Sequence, residues 1–272
     1  MTGEILTFFR SFFHLTPWGV GLAVAFGVVW LAGFLPPFHR KPWLGAVLVA
    51  SAILTLAAIT FIQIPLQLFI GDTLSRFFSW PTVLDWMLLA SIPGISVSGL
   101  VQEGAKMVPQ MFFWWRQGRK LNPKLGLCLG AVAGAGFGIF EANWIHSLVL
   151  SSGWSWSVVN DNGLIGLAPF IERFFVVAFH IGTSALVGYG LARGWGWQFY
   201  LIASLLHAIL NYATIMLQAG VISGLWVEIF TVVWAVAVIG SALWLRWRRE
   251  QPAAEPVAEP VMPETSPGQP SP

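Results

Sequence analysis

The stretch GLVQEGAKMVPQ, residues 99–110, lies inside a long apolar run and places Gln102, Glu103 and Lys106 where a lipid-facing helix would carry Leu or Val. Whether the chain is a membrane protein decides how these residues are read. Of 272 residues, 56% are hydrophobic and 10% are charged, with a mean hydropathy of +0.72. A soluble globular chain has about 25% charged residues, and so few charges do not cover so much apolar surface. The composition implies an integral membrane protein in a lipid bilayer. The net charge of +2 and the lack of a basic run interleaved with aromatics argue against nucleic acid. The single cysteine, Cys128, excludes an intrachain disulfide.

Apolar segments of about 20 residues, enough to cross a ~30 Å hydrocarbon core, fall near 17–37, 43–70, 83–115, 125–150, 167–192, 196–219 and 221–245. The expected fold is an all-α, polytopic transmembrane helix bundle of about seven spans, occupying residues 17–249. The third run is too long for one straight span. Pro93-Gly94 makes it either a broken helix or an outer piece followed by a span from about residue 96. Residues 1–16, Phe-rich with a single Arg, read as an interfacial segment. Residues 250–272, Pro-rich and acidic, read as a disordered tail.

Arg40 and Lys41, Arg116, Arg119, Lys120 and Lys124, Arg193, and Arg246, Arg248 and Arg249 share one side if there are seven spans. The opposite loops hold only Arg10 and Arg76. The positive-inside rule then puts the N-terminus outside and the C-terminus in the cytoplasm of a multi-pass cell-membrane protein. Many of the 16 Trp, Trp43, Trp80, Trp114 and Trp244 among them, sit at expected span ends, where aromatic belts form.

Depth can be counted from the basic residues. Glu103 lies 13 residues before Arg116, His180 13 before Arg193, His207 14 after Arg193, and Glu141 17 after Lys124. At the helical rise, all four stand roughly 20–25 Å above the cytoplasmic charges, on four different spans. Asp85, His146, Glu172, Arg173 and Glu228 fall near outer ends, where side chains reach headgroups; Glu172 and Arg173 would also shape an outer mouth. Gly126, Gly130, Gly134 and Gly138 recur every fourth residue, and Glu141 is seven past Gly134, so it projects from the glycine face into protein. His180 and Ser184 share a face of span five; Ser204, His207 and Asn211 share one on span six. A glycine stripe alone is packing, a single His satisfies a core, and Glu103 with Lys106 at i, i+3 neutralise each other. Two carboxylates and two imidazoles at one depth go beyond such packing, because mid-membrane ionisable groups are costly and functional by default.

QExxK at 102–106, FGIFE at 137–141, FHIGTSALVGYG at 179–190 and HAILN at 207–211 resemble, in order, the motifs of PrsW-type intramembrane proteases, relatives of the CAAX prenyl endopeptidases. The resemblance covers about residues 95–215. It implies an intramembrane endopeptidase that hydrolyses a membrane-anchored protein substrate, with Glu103, Glu141, His180 and His207 catalytic and Lys106, Asn211 and Gln102 supporting. The family commonly has two adjacent Glu where this chain has Gln102-Glu103. A Glu in an apolar site serves as a general base near neutrality, so Glu103 or Glu141 would activate the water; His180 and His207 would stabilise the oxyanion or shuttle protons. Two alternatives stay open. Glu141, His180 and His207 would form a His₂Glu set for a divalent metal such as zinc, although no HExxH helix is present. The same polar layer would also serve a transporter or receptor.

Overall fold

The computed structural model describes residues 2–248; the 250–272 segment read as a tail lies outside them. The described residues form an all-α bundle: α1 (Thr2–Ser11), α2 (Pro17–Ala32), α3 (Trp43–Ala58), α4 (Ile64–Phe77), α5 (Trp80–Asp85), α6 (Met87–Ala90), α7 (Ile92–Arg116), α8 (Pro123–Ser151), α9 (Trp156–Asn162), α10 (Ala168–Arg193), α11 (Gly196–Gln218) and α12 (Gly224–Trp247). A π-turn at Ile59–Gln63 joins α3 to α4, and Pro65 opens the following helix. The run interrupted by Pro93-Gly94 resolves into two short helices, α5 and α6, followed by α7 with Pro93 in its first turn, where a missing N–H costs nothing.

Five stretches are long and apolar enough to cross a membrane: Trp43–Phe77, Pro123–Ser151, Trp156–Arg193, Gly196–Gln218 and Gly224–Trp247. The protein is a multi-pass membrane protein. The expected count of seven therefore depends on α2, which is apolar but only 16 residues long, and on α7, which has 25 residues but carries Gln102, Glu103, Lys106 and Gln110. Those four side chains are buried, while Val28, Ile53, Phe61, Leu205, Val233 and Trp244 are exposed. Polar groups inside and large apolar ones outside is the pattern a lipid environment requires.

The core is built around α8, whose residues 126–138 are all buried. It packs against α2, α3 and α10. At Gly126, Gly130 and Gly134 a Cβ would overlap the carbonyl oxygens of Gly188, Ser184 and His180, so the glycine face lets α8 and α10 meet backbone to backbone. Asn122 caps α8 by accepting from Lys124 N at 2.8 Å, with Pro123 at the first helical position. Gly194 (φ +81°) ends α10 in a left-handed cap, and Trp195 N donates to Gly190 O at 2.8 Å. The resulting tight turn makes α10 and α11 antiparallel neighbours, which brings His180 and His207 side by side. α11 docks on α7 at Gly99, where a Cβ would overlap the Ser204 carbonyl, and Tyr200 Oη donates to Leu100 O at 3.0 Å. α1 lies on α8, with Phe12 stacked on Trp144 and Trp144 Nε1 donating to Ser11 Oγ at 3.1 Å.

Candidate active site

Four helices meet at one polar centre. From α7, Glu103 Oε1 accepts from Lys106 Nζ at 2.5 Å and pairs with His207 Nδ1 of α11 at 2.8 Å. From α10, His180 approaches Lys106 Nζ with Nδ1 at 3.1 Å and Glu141 Oε2 of α8 with Nε2 at 2.8 Å. The His180 and His207 ring centroids are 5.2 Å apart, and Phe137 packs on His180 with its ring 5.1 Å from Lys106 Nζ. Glu103, Lys106, His180 and His207 are all buried. An isolated charge at such a site is expensive, so the Glu103–Lys106 pair and its hydrogen bonds are what make the ionised groups tolerable there.

The hydrogen bonds settle the tautomers. An ammonium only donates, so His180 Nδ1 is the acceptor and Nε2–H donates to Glu141. A carboxylate only accepts, so His207 Nδ1–H donates to Glu103. Glu103 Oε2 is buried without a hydrogen-bond partner. Ligand atoms of Glu103, His180 and His207 lie within 4.8 Å of one another. Two imidazoles and a carboxylate are the donor set of many catalytic zinc sites, and the orphaned Glu103 oxygen is an unused ligand atom. The chain thus holds a buried Glu–His–His cluster capable of coordinating a divalent metal. The sequence reading put Glu141 in the carboxylate position, whereas the structure groups Glu103 with the histidines. Glu141 instead hydrogen-bonds the far edge of the His180 ring, as carboxylates that orient a ligating histidine do.

Beside this cluster is a cavity of about 140 Å³, with Gln102, Glu141, Arg173, His180, His207 and Asn211 in its wall. It has room for several water molecules.

Residues 163–232 match the model of the YhfC intramembrane metalloprotease family. No curated protein and no solved structure matches the chain. The matched segment contains α10, α11 and the start of α12, and with them Arg173, His180, His207 and Asn211. It stops short of α7 and α8, so Glu103, Lys106 and Glu141 lie outside it. The matched family is distinct from the PrsW-type proteases, though related to them, and it is a metalloprotease family.

The structure brings together Glu103, Glu141, His180, His207 and Lys106 through direct hydrogen bonds. Asn211 and Gln102 stand in the cavity wall, but Asn211 Nδ2 donates to Ser98 Oγ at 2.8 Å and Gln102 Nε2 to Gln63 Oε1 at 3.0 Å. Neither amide reaches His207. Two residues escaped the sequence reading as members of the centre. Thr183 Oγ1 lies 3.3 Å from Glu103 Oε1 and 3.4 Å from Lys106 Nζ; its place one turn after His180 was a signal, but Ser184 was read as the facing residue. Arg173 was expected at an outer mouth. Its side chain reaches inward, with Nη1 3.5 Å from Glu141 Oε2 and Nη2 2.6 Å from Glu172 Oε1. His146, also expected at the interface, is buried between Phe26 and Phe170.

Proposed function

We propose that this protein is a metal-dependent intramembrane endopeptidase, hydrolysing a peptide bond in or near the membrane segment of a membrane-anchored protein. The observation that carries the reading is the buried Glu103–His180–His207 cluster beside a polar cavity in a bundle of membrane-length helices. The family match over α10 and α11 supports it. The ordered motifs between residues 95 and 215 support a PrsW-like ancestry for the remaining site residues.

In this reading Glu103, His180 and His207 hold the ion. When bound, a divalent cation supplies Lewis acidity toward water and toward the scissile carbonyl. Glu141 is the general base. Its Oε2 is tied to His180 Nε2 and faces Arg173, which leaves Oε1 for a water in the cavity. Glu141 takes the proton of the attacking water and delivers it to the departing amine nitrogen as the C–N bond breaks. A substrate helix must unwind to be cut, and its freed N–H groups need acceptors in a site without bulk water. Gln102 lines the cavity and its Oε1 is buried without a partner, so a rotation of the carboxamide would offer it to one of them. Arg173 orients Glu141. The N-terminus stands outside, residues 1–16 lie along the interface, and the C-terminus is cytoplasmic, as the basic residues require.

A metal-free version, in which Glu103 or Glu141 alone activates the water, is the second reading. It is favoured by the Lys106 ammonium that already neutralises Glu103. Incubating the purified protein with candidate single-span membrane proteins, with and without chelator, separates the two. Cleavage abolished by chelator and restored by added zinc supports the metal-dependent form; cleavage indifferent to chelator removes it. Ion-coupled uptake without cleavage would return the site to a transporter.

A further inference from the structure

The cluster that suits a divalent ion already contains a cation. Lys106 is fully buried, and its ammonium lies 2.5 Å from Glu103 Oε1, 3.1 Å from His180 Nδ1 and 3.4 Å from Thr183 Oγ1. An ammonium has three N–H donors and no acceptor, and these three partners use all of them. Two of the three, Glu103 and His180, are also members of the ligand group. We propose that the Lys106 ammonium and a divalent ion are alternative occupants of one seat, so that Lys106 acts as a lock on the metal site. This rests on the metal-dependent reading above.

Three observations lead there. First, His180 has one lone pair to offer. Its Nε2–H is committed to Glu141, and Nδ1 is the atom to which Lys106 donates. A nitrogen lone pair cannot serve an ammonium and a metal together, so His180 ligates only after Lys106 withdraws. Second, the ammonium and a divalent ion would share the Glu103 carboxylate in a buried, weakly screened site, where like charges exclude one another. Third, unpaired acceptors stand one helical turn away. One turn further along α7 and α10, Gln110 Oε1 and Ser184 Oγ are buried without partners. Gln110 Nε2 donates to Lys106 O at 3.1 Å, so its carboxamide is held beside the lysine. The flexible four-carbon stem rotates toward these acceptors when the ion enters, and the ammonium is again hydrogen-bonded.

The test is cobalt binding to the purified full-length chain, read by titration calorimetry and by the visible absorption of Co²⁺ in an imidazole–carboxylate site. Lys106→Met is expected to bind cobalt at least about tenfold more tightly than the wild type, because no ammonium competes, and adding His207→Ala should abolish the gain. Gln110→Leu, with Lys106 kept, is expected to weaken binding about fivefold by removing the lysine's second seat. That variant also decides the matter if Lys106→Met does not fold. Equal cobalt affinity in wild type and Lys106→Met overturns the lock while leaving the metal-dependent reading standing. Absence of binding in both, with chelator-resistant cleavage, overturns the two together. Unchanged binding in Gln110→Leu overturns the lock's swing.

Discussion

Gly134→Ala is the sharpest test of how the site is held. A Cβ at Gly134 would overlap the carbonyl oxygen and carbon of His180 and the Cα of Ile181. All three are backbone atoms in the middle of α10, so no side-chain rotation relieves the clash. The helices have to part by about 1 Å to restore ordinary contact. Overpacking of this kind costs about 1–3 kcal/mol of stability. The larger effect is on the site, because the 2.8 Å bond from His180 Nε2 to Glu141 Oε2 crosses the same α8–α10 interface. A separation of about 1 Å takes it out of hydrogen-bonding range. Misplacement on that scale lowers turnover about 100-fold. The assay is cleavage of a single-span substrate alongside reversible unfolding in mixed micelles. Gly45→Ala and Gly240→Ala are the controls. Nothing lies within 4 Å of a Cβ at either position, so each should leave turnover unchanged and gain up to about 1 kcal/mol of helix stability. A Gly134→Ala protein with wild-type turnover and stability would show that close α8–α10 packing does not position His180.

Glu141→Gln keeps the side chain's shape but cannot take a proton, so cleavage should disappear while membrane insertion and thermal unfolding stay close to wild type; an active variant removes Glu141 as the base. Arg173→Met leaves Glu141 and Glu172 without their shared cation and should lower kcat by about tenfold or more, with Arg173→Lys recovering part of the loss in progress curves. Equal rates for the two variants would show that the charge at this position is immaterial. Reporter fusions in the 116–124 segment and after residue 247 should both read as cytoplasmic, with a fusion in the 152–155 turn on the opposite face. Opposite results for the two basic segments would overturn the orientation.

Much of this protein is written locally in the chain. Runs such as 125–150 and 196–219 are membrane-length by composition alone, and the bundle follows because only helices satisfy their own backbone in lipid. The constant rise of a helix turned distances from Arg116 and Arg193 into depths. Those depths put Glu103, His180 and His207 at one level from the sequence alone. The four-residue recurrence of Gly126, Gly130, Gly134 and Gly138 likewise marked the face of α8 that meets a neighbour. Depth, however, does not distinguish two carboxylates at the same height. Glu103 groups with the two histidines and Glu141 stands behind His180 because of how α7 and α8 are rotated about their axes, which the whole packing of the bundle decides. Arg173 had a depth near the outer end, but the direction of its long side chain depends on Glu141 and Glu172 being there to receive it. His146 shared that depth and is nevertheless buried, because α2 brings Phe26 over it. Thr183 against Ser184 was a choice between adjacent positions 100° apart on one helix, and only the approach of Lys106 from α7 settles it. Hydropathy and periodicity belong to each segment by itself, whereas rotation, crossing and side-chain direction minimise the energy of all the helices at once, and the chemistry of this site depends on the second set.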